Sequence, residues 1–449
     1  MHFKTFVALL LIVMGIPATA QVRFDQGESR APNLPISYET VAFFSGDSSK
    51  QCVNIHYRVG QNFFIFVRNE AETSKTEYIA RGELLVELLN EQKVSVAREI
   101  RQLPLKRTVL PKEGDHPPSI QGVFSFSVPP GNYTVVFNLD DQESGRSFME
   151  KTKKINVPAP KSAGFQMSDP MFVQTATATP PSSVFVPTNR SGSSLFGEGG
   201  AILVEIFRPT GPDTLNLHWN LRGMLDGFGE RRQTFEDSAY TEMSGLLTVA
   251  SQDEGISYSI RPASAAWKTL LVPLPLQKLE AGMFTLDIEY RLGTTNRHQQ
   301  YPFHVIWPAR PFSLMDQDLA IDALRHIAKD AEIDAMLSGG STKRADAFAR
   351  FWRERSRDTT TAFNGVMAEY YYRVDDALRR FSTSKESDGY KTDRGRIYVL
   401  YGPPQKSDRR LQPNSAPTEI WTYENLHRRF IFIDASKNGN YVLSQSENL

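Results

Sequence analysis

The hydrophobic period changes once along the chain, and this change limits the folds that it can adopt. Up to Trp307, short segments alternate apolar and polar residues, as at Val53, Ile55 and Tyr57. This two-residue period is typical of strands with one buried face. After residues 308–311, apolar residues recur every three to four positions, which is the period of an amphipathic helix. The sequence therefore predicts a β-rich N-terminal part and a C-terminal part that begins with helices.

The β-rich part divides into two groups of predicted strands, separated by a stretch rich in Pro, Ser, Thr and Ala. The first group comprises residues 53–59, 63–67, 83–89, 123–128, 133–139 and a last strand ending near 157. The second comprises residues 202–207, 214–221, 256–261, 270–274, 283–290 and 301–307. Many short strands between turn signals are typical of an immunoglobulin-like antiparallel sandwich, although the Cys-Trp-Cys signature is absent.

An internal repeat links the two groups. Residues 131–139 and 282–290 share one pattern: Gly, any residue, aromatic, Thr, aliphatic, any, apolar, any, apolar. Each copy precedes a loop and a final strand that ends just before a proline, Pro158 or Pro308. We therefore predict tandem sandwiches of similar topology at residues 21–158 and 196–309, joined by a linker at 159–195, with residues 22–50 as a loose lead-in containing an edge strand.

The C-terminal part, residues 311–449, is predicted to be an α+β domain with three helices followed by a small antiparallel sheet. The first helix starts near Ser313 and Asp316, Ser341 caps the second, and an apolar stripe over 366–381 marks the third. Strands are predicted at 419–423, 429–434 and 441–444, with Asn438-Gly439 in the last turn. The predicted fold class is therefore multidomain and mainly β.

Residues 388–404 join the predicted helices to the predicted sheet. Gly389 and Gly395 can adopt positive φ, and the Thr392-Asp393 pair between them is typical of a turn. Residues 397–401 are all apolar or aromatic, which indicates a strand covered on both faces. The double proline after Gly402 would end such a strand, because proline has no N–H for a ladder.

This segment resembles the GWxTD domain of exported bacterial proteins, named for its Gly-Trp-x-Thr-Asp motif. The motif here reads Gly-Tyr-Lys-Thr-Asp at 389–393, with Tyr390 where the family name has Trp, and the resemblance covers roughly 311–444. The function of the family is not known, so the resemblance implies no catalytic residue. The candidate structural or binding residues are Gly389, Tyr390, Thr392, Asp393, Arg394, Gly395, Arg396, Tyr398, Gly402, Pro403 and Pro404, with Glu369 and Tyr370 upstream.

The N-terminus predicts export. Lys4, an apolar core over residues 6–16 and the Ala18-Thr19-Ala20 ending form a signal peptide, with cleavage after Ala20. The apolar run is too short to span a bilayer, and no later run is long enough. Cys52 is the only cysteine, so an exported chain must rely on its cores without an internal disulfide. We expect a location in the periplasm, at the cell surface or outside the cell.

The sequence offers little support for metal or cofactor chemistry. The eight histidines do not occur at metal-site spacings, and no cofactor motif is present, so neither a metal nor a cofactor is predicted. The adjacent Asp375 and Asp376 would point in different directions on a helix. Asp393 could act in an enzyme, because it lies in a turn with Arg394 and Arg396 beside it. The alternative is a structural clamp, in which Asp393 accepts backbone N–H bonds within the turn, pairs with one of these arginines and has a lowered folded pKa.

We favour a non-catalytic envelope or secreted protein whose tandem sandwiches present a C-terminal interaction domain. The alternatives are a hydrolase-like enzyme with its site at the Asp393 turn, and a glycan- or cell-wall-binding protein. Residues 341–410 carry an excess of Lys and Arg, so the expected partner is another envelope protein or an anionic envelope polymer. The formal net charge of zero gives no reason to expect nucleic acid binding. No integral membrane segment is expected after signal cleavage.

Overall fold

The structure, a computed structural model, describes residues 36–46, 49–70, 77–110, 118–159, 164–174, 184–190, 192–208, 213–251, 255–413 and 415–449. The predicted signal peptide at 1–20 lies outside these ranges. Among the described residues the structure is mainly β, with 48% in strands and 19% in helices, and the helices are concentrated in the C-terminal region. The predicted fold class, β-sandwiches followed by an α+β domain, is confirmed.

The first sandwich consists of two antiparallel sheets that share one core. Its strands are β1 (Ile36–Phe44), β2 (Gln51–Gly60), β3 (Val67–Arg68), β4 (Tyr78–Leu89), β5 (Ser95–Arg107), β6 (Ser119–Val128), β7 (Gly131–Asp141), β8 (Ser147–Glu150) and β9 (Lys154–Val157). One sheet has the order β1-β2-β6, and the other is built around β4 and β7. Alternate residues of both sheets, such as Ile55 and Val86, are fully buried between them. The predicted strand at 63–67 is instead a 3₁₀ turn at Gln61–Phe63 and the short β3.

The second sandwich is built in the same way. Its strands are β10 (Gln166–Met167), β11 (Met171–Gln174), β12 (Ser194–Leu195), β13 (Gly200–Phe207), β14 (Leu215–Leu225), β15 (Arg232–Asp237), β16 (Thr241–Ser244), β17 (Leu246–Ser251), β18 (Ser257–Arg261), β19 (Trp267–Leu274), β20 (Gly282–Leu292) and β21 (Thr295–Ile306). Two five-stranded sheets enclose the core, and β17 and β18 form a separate hairpin. Both copies of the sequence repeat form inner strands, β7 and β20, that begin at a glycine.

Part of the stretch predicted as a linker takes part in the second sandwich. β10 and β11 pair with β13, and β12 pairs in parallel with β21. Residues 160–163, 175–183 and 191 of this stretch are not among those described. The domain boundaries themselves stay predictions.

The two sandwiches meet through a small apolar core of their own. It contains Phe43 and Val123 from the first sandwich and Leu203 and Tyr258 from the second. Within it, the Glu205 carboxylate accepts hydrogen bonds from the backbone N–H groups of Phe44 and Leu247, both at 2.6 Å. Burial raises the pKa of Glu205 to about 8, against the opposing effect of these two hydrogen bonds. A second polar contact lies beside it, where His56 Nε2 is 2.6 Å from the Tyr258 hydroxyl oxygen.

The C-terminal part contains five described α-helices and a four-stranded antiparallel sheet. The sequence predicted only three helices, which is too low a number. The helices are α1 (Gln317–Asp322), α2 (Asp330–Leu337), α3 (Ser341–Arg353), α4 (Gly365–Phe381) and α5 (Asp393–Tyr401). The strands are β22 (Lys406–Arg410), β23 (Thr418–Tyr423), β24 (Arg428–Ile433) and β25 (Val442–Asn448), in that order across the sheet. The first predicted helix is divided into α1, a 3₁₀ turn at Ala323–His326 and α2. β22 was not predicted, because all five of its residues are exposed and carry no apolar pattern.

The predicted strand at 397–401 is wrong, because these residues form the second half of α5. A short apolar run fits a buried helix as well as a buried strand. The Thr392 side chain caps this helix by accepting the Gly395 N–H, and Gly402 ends it at a φ of 78°. The helix is apolar on more than one side because Tyr398 packs against Phe381 of α4 and also against Trp421 of β23.

The C-terminal helices also pack directly on the second sandwich. The Ala362 N–H donates to the Gln277 carbonyl at 2.8 Å. The rings of Phe228 and Phe348 meet edge to face, with their centroids 5.7 Å apart. Phe363 makes similar contacts with sandwich residues, and the two parts therefore share a continuous interface.

Candidate functional site

Tyr390 fixes the motif to the first helices of the C-terminal part. It lies in a 3₁₀ turn, Gly389–Lys391, and only 1% of it is exposed. Its hydroxyl donates to the Asp322 carboxylate, and its carbonyl accepts a hydrogen bond from His326 Nε2 at 2.9 Å. Burial, together with Asp322, raises the pKa of Tyr390 far above its usual value. Tyr390 therefore stays a neutral hydrogen-bond donor that holds α1 against the motif.

Asp322 receives several donors at once. The Lys391 ammonium lies 3.0 Å from its carboxylate, and Arg325 pairs with it one helical turn away. Burial alone would raise the pKa of Asp322, but the hydrogen bonds from Tyr390, Lys391 and Arg325 hold it below its usual range. The ionised form of Asp322 is thus the one that the motif stabilises.

Gly389 and Gly395 allow backbone segments to approach each other closely. The expectation that they adopt positive φ is wrong. A Cβ at Gly395 would lie 1.9 Å from the Gly389 carbonyl oxygen and 2.8 Å from the Tyr390 Cα. A Cβ at Gly389 would lie 2.1 Å from the Ala377 carbonyl oxygen of α4. Only a residue without a side chain allows α4, the 3₁₀ turn and α5 to approach this closely.

Asp393 connects the start of α5 to the last strand. Its Oδ2 accepts the backbone N–H of Leu443 at 2.8 Å, and its Oδ1 lies 3.3 Å from the Arg396 guanidinium. Its side chain is 31% exposed. The predicted clamp was partly misplaced, because the backbone donor belongs to β25 and not to the turn itself. A carboxylate in the first turn also interacts favourably with the helix dipole.

Arg394 pairs with the sheet and not with Asp393. Its guanidinium lies 3.0 Å from the Glu419 carboxylate, and each side chain is 14% exposed. It also donates to the Gly439 carbonyl and lies over the Tyr441 ring, 4.3 Å from its centroid. Arg394 and Asp393 thus contact β23 and the β24–β25 region from adjacent positions of one helix.

The remaining candidate residues also contact other elements. The Tyr370 hydroxyl donates to the Ala323 carbonyl at 2.5 Å, and the Tyr398 hydroxyl donates to Asp376 at 2.9 Å. Glu369 pairs with Arg373, whose guanidinium also reaches the last carbonyls of α5. Pro403 and Pro404 follow the end of this helix.

Asp375 and Asp376 point in different directions, as helical geometry requires. Asp375 accepts the backbone N–H groups of Phe312 and Ser313 at 2.7 and 3.0 Å. Burial raises its pKa despite these bonds. Asp376 instead pairs with Arg379 and accepts the Tyr398 hydroxyl. The sequence did not reveal Asp322, His326, Glu419 or Leu443 as partners of the motif, because each lies 25 or more residues away from its partner.

The family model of the GWxTD domain matches residues 290–449. Residues 290–449 form a GWxTD domain. The match begins before the segment on which the resemblance was based, and it also covers β21, which lies in a sheet of the second sandwich. The function of this family is unknown.

No curated protein matches the chain. Among solved structures, a family 123 glycoside hydrolase from Clostridium perfringens aligns at 10% identity over 33% of this chain and 30% of its own, with a TM-score of 0.17. The major pilin subunit of Bacillus cereus aligns at 9% identity over 50% of this chain and 64% of its own, with a TM-score of 0.15. The aligned part is less than two thirds of either protein, and TM-scores this low support no functional conclusion.

A cavity of about 410 Å³ lies where the GWxTD domain helices meet the second sandwich. Trp307 and Phe228 contribute aromatic surface from the sandwich side, and Phe348 and Trp352 of α3 contribute it from the helical side. Arg231 spans the two sides, since it pairs with Glu280 of the sandwich and lies 3.5 Å from Asp346 of α3. A cavity of this size and composition is typical of small-molecule sites.

No helix in the described part of the chain is long and apolar enough to cross a membrane. No group of three or more His, Cys, Asp or Glu side chains in the described ranges could hold a metal ion.

Proposed function

We propose that the protein is an exported, non-catalytic envelope or secreted protein in which two β-sandwiches present the GWxTD domain to a partner. The contacts of the motif carry this proposal. Tyr390, Asp393 and Arg394 each bind a different element of the domain, so the motif works as a structural junction. The spacer role of the sandwiches is inferred by analogy with other sandwich folds, so the argument for function has to come from the site.

The choice between binding and catalysis depends on Asp393. Both carboxylate oxygens of Asp393 are engaged within the domain, one by the Leu443 N–H and the other by the Arg396 guanidinium, and these contacts favour a structural role. We expect the chain without residues 1–20 to retain another envelope protein or an anionic polymer from an envelope extract, and to show no turnover in a broad hydrolase screen. Turnover that is abolished by Asp393→Asn, while the variant keeps the wild-type melting temperature, would refute the non-catalytic function.

Export rests on the N-terminal sequence alone. The expected mature protein starts at Gln21, and mass spectrometry of the native N-terminus measures this directly. An intact Met1 start in the cytoplasm would contradict export without affecting the binding proposal.

The second candidate function is glycan or cell-wall binding. The observation in its favour is the aromatic cavity between the second sandwich and α3. Aromatic rings provide flat apolar surfaces on which a ligand ring can stack.

A further inference from the structure

The cavity beside α3 has an aromatic floor that is not fully covered. Trp307 and Phe228 are both half-buried, and Trp307 is held by edge and tilted contacts with Phe196 and Phe363. Behind them, Phe348 and Trp352 are buried in the core of the GWxTD domain. These contacts fix the ring positions before any ligand arrives, which lowers the entropic cost of binding.

The acidic residues of the cavity wall already have partners. Glu280 forms a two-pronged pair with Arg231, with both N–O distances at 2.9 Å. Asp226 lies 3.1 Å from His304 Nε2. Asp358 accepts the N–H and hydroxyl of Thr360, at 2.8 and 2.7 Å.

Three cations of the same wall lack such partners. Within the described part of the chain, no carboxylate lies within 4 Å of the charged groups of Lys278, Arg310 or Arg353. Lys278 and Arg353 are exposed at the rim. Arg310 lies deeper, where it donates one bond to the Leu314 carbonyl, and its buried Nε has no acceptor among the described residues.

Burial lowers the pKa of Arg310 despite the opposing charge of Asp226. A buried donor without an acceptor costs free energy, and an anionic acceptor would remove this cost. The charged groups of the cavity wall that lack an ionic partner among the described residues are thus cations beside a fixed aromatic floor.

We propose that this cavity binds one unit of an acidic oligosaccharide, with the sugar ring against Trp307 and Phe228 and its carboxylate among Lys278, Arg310 and Arg353. The exposed rim at Lys278 and Arg353 leaves room for the polymer to continue into solvent. This inference rests on the proposed binding function, because it names the class of ligand that the cavity binds and proposes no reaction there.

The test uses the full chain without residues 1–20 and trigalacturonate as the probe. The neutral galactose trimer is the matched control ligand. Trp307 and Trp352 line the cavity, so tryptophan fluorescence reports occupancy alongside calorimetry. We expect trigalacturonate to bind at least about ten-fold more tightly than the neutral trimer, and to bind more weakly as salt is added.

Variants locate the binding. Arg353→Gln and Lys278→Gln should each weaken trigalacturonate binding by about ten-fold, the scale of one lost charge-assisted hydrogen bond. Arg350→Gln, on the same helix but outside the cavity lining, should leave binding unchanged. Equal effects of the Arg350 and Arg353 variants would show that only general surface charge is involved, and would overturn the assignment.

The outcomes separate this inference from the proposed function. Equal binding of both trimers, or no binding at millimolar concentration, would overturn the acidic-saccharide site but leave the binding function intact. Cleavage of trigalacturonate by the chain would contradict the non-catalytic function itself.

Discussion

Replacing Gly395 by alanine tests whether close backbone packing determines the motif. Gly395 lies inside α5, where alanine has the higher helix propensity by about 1 kcal/mol. Helix propensity alone therefore predicts that Gly395→Ala stabilises the protein. The structure predicts the opposite, because the new Cβ would lie 1.9 Å from the Gly389 carbonyl oxygen.

The size of the effect follows from which atoms must move. The Gly389 carbonyl also accepts the Thr392 hydroxyl at 2.8 Å, so its displacement disturbs the residue that caps α5. Overpacking that shifts backbone costs about 3 kcal/mol at the upper end of the usual range. After the propensity gain, the net destabilisation should be about 2 kcal/mol, which corresponds to a fall in melting temperature of roughly 4–8 °C.

The assay is thermal and urea unfolding of the full chain, followed by calorimetry and by tryptophan fluorescence. Gly365→Ala is the matched control, since Gly365 begins α4 and its new Cβ would meet only Phe363 at 3.8 Å. This control should be neutral or slightly stabilising. If Gly395→Ala is as stable as Gly365→Ala, then close packing at the motif is not what requires glycine.

Two further predictions concern the same motif. Asp393→Ala should destabilise the domain by about 2 kcal/mol and speed hydrogen exchange at the Leu443 amide. Asp393→Asn should have a smaller effect, because its amide oxygen can still accept the Leu443 N–H. Unchanged exchange at Leu443 in the alanine variant would contradict this contact. Burial lowers the pKa of His326 in the folded state, so protonation favours the unfolded chain and stability should fall as pH drops below about 6.5. His326→Gln can still donate to the Tyr390 carbonyl and should reduce this loss between pH 6.5 and 5, and an identical pH dependence in the variant would refute the role of His326.

The sandwiches were predictable because their strands have one buried face. β7 alternates in burial as it alternates in sequence, whereas the middle of β2 is buried on both faces because residues such as His56 face the second sandwich. β5 was missed because nearly all of its 13 residues are exposed or half-buried, so no apolar period marks it. α5 was mistaken for a strand because its apolar run is continuous, and only the capping residue Thr392 distinguishes the two possibilities.

The site was less predictable than the fold. The sequence identified Asp393 and Arg394 as important but gave Arg394 as an equal candidate to pair with Asp393. The structure pairs Arg394 with Glu419, which lies 25 positions away on β23. Contacts between distant positions depend on how the helices and the sheet pack together. The local spacing of residues in the sequence does not predict them. The cavity was unpredictable for the same reason, since its walls come from two domains.

The core shared by the two sandwiches has a mechanical consequence. Modules on a flexible tether reorient independently, and a pull on one end is absorbed by the tether. Here, bending the array would expose Phe43 and Leu203 and would strip the Glu205 carboxylate of its Phe44 donor. The two sandwiches are therefore expected to move as one rigid unit, because any hinge between them would have to expose this core.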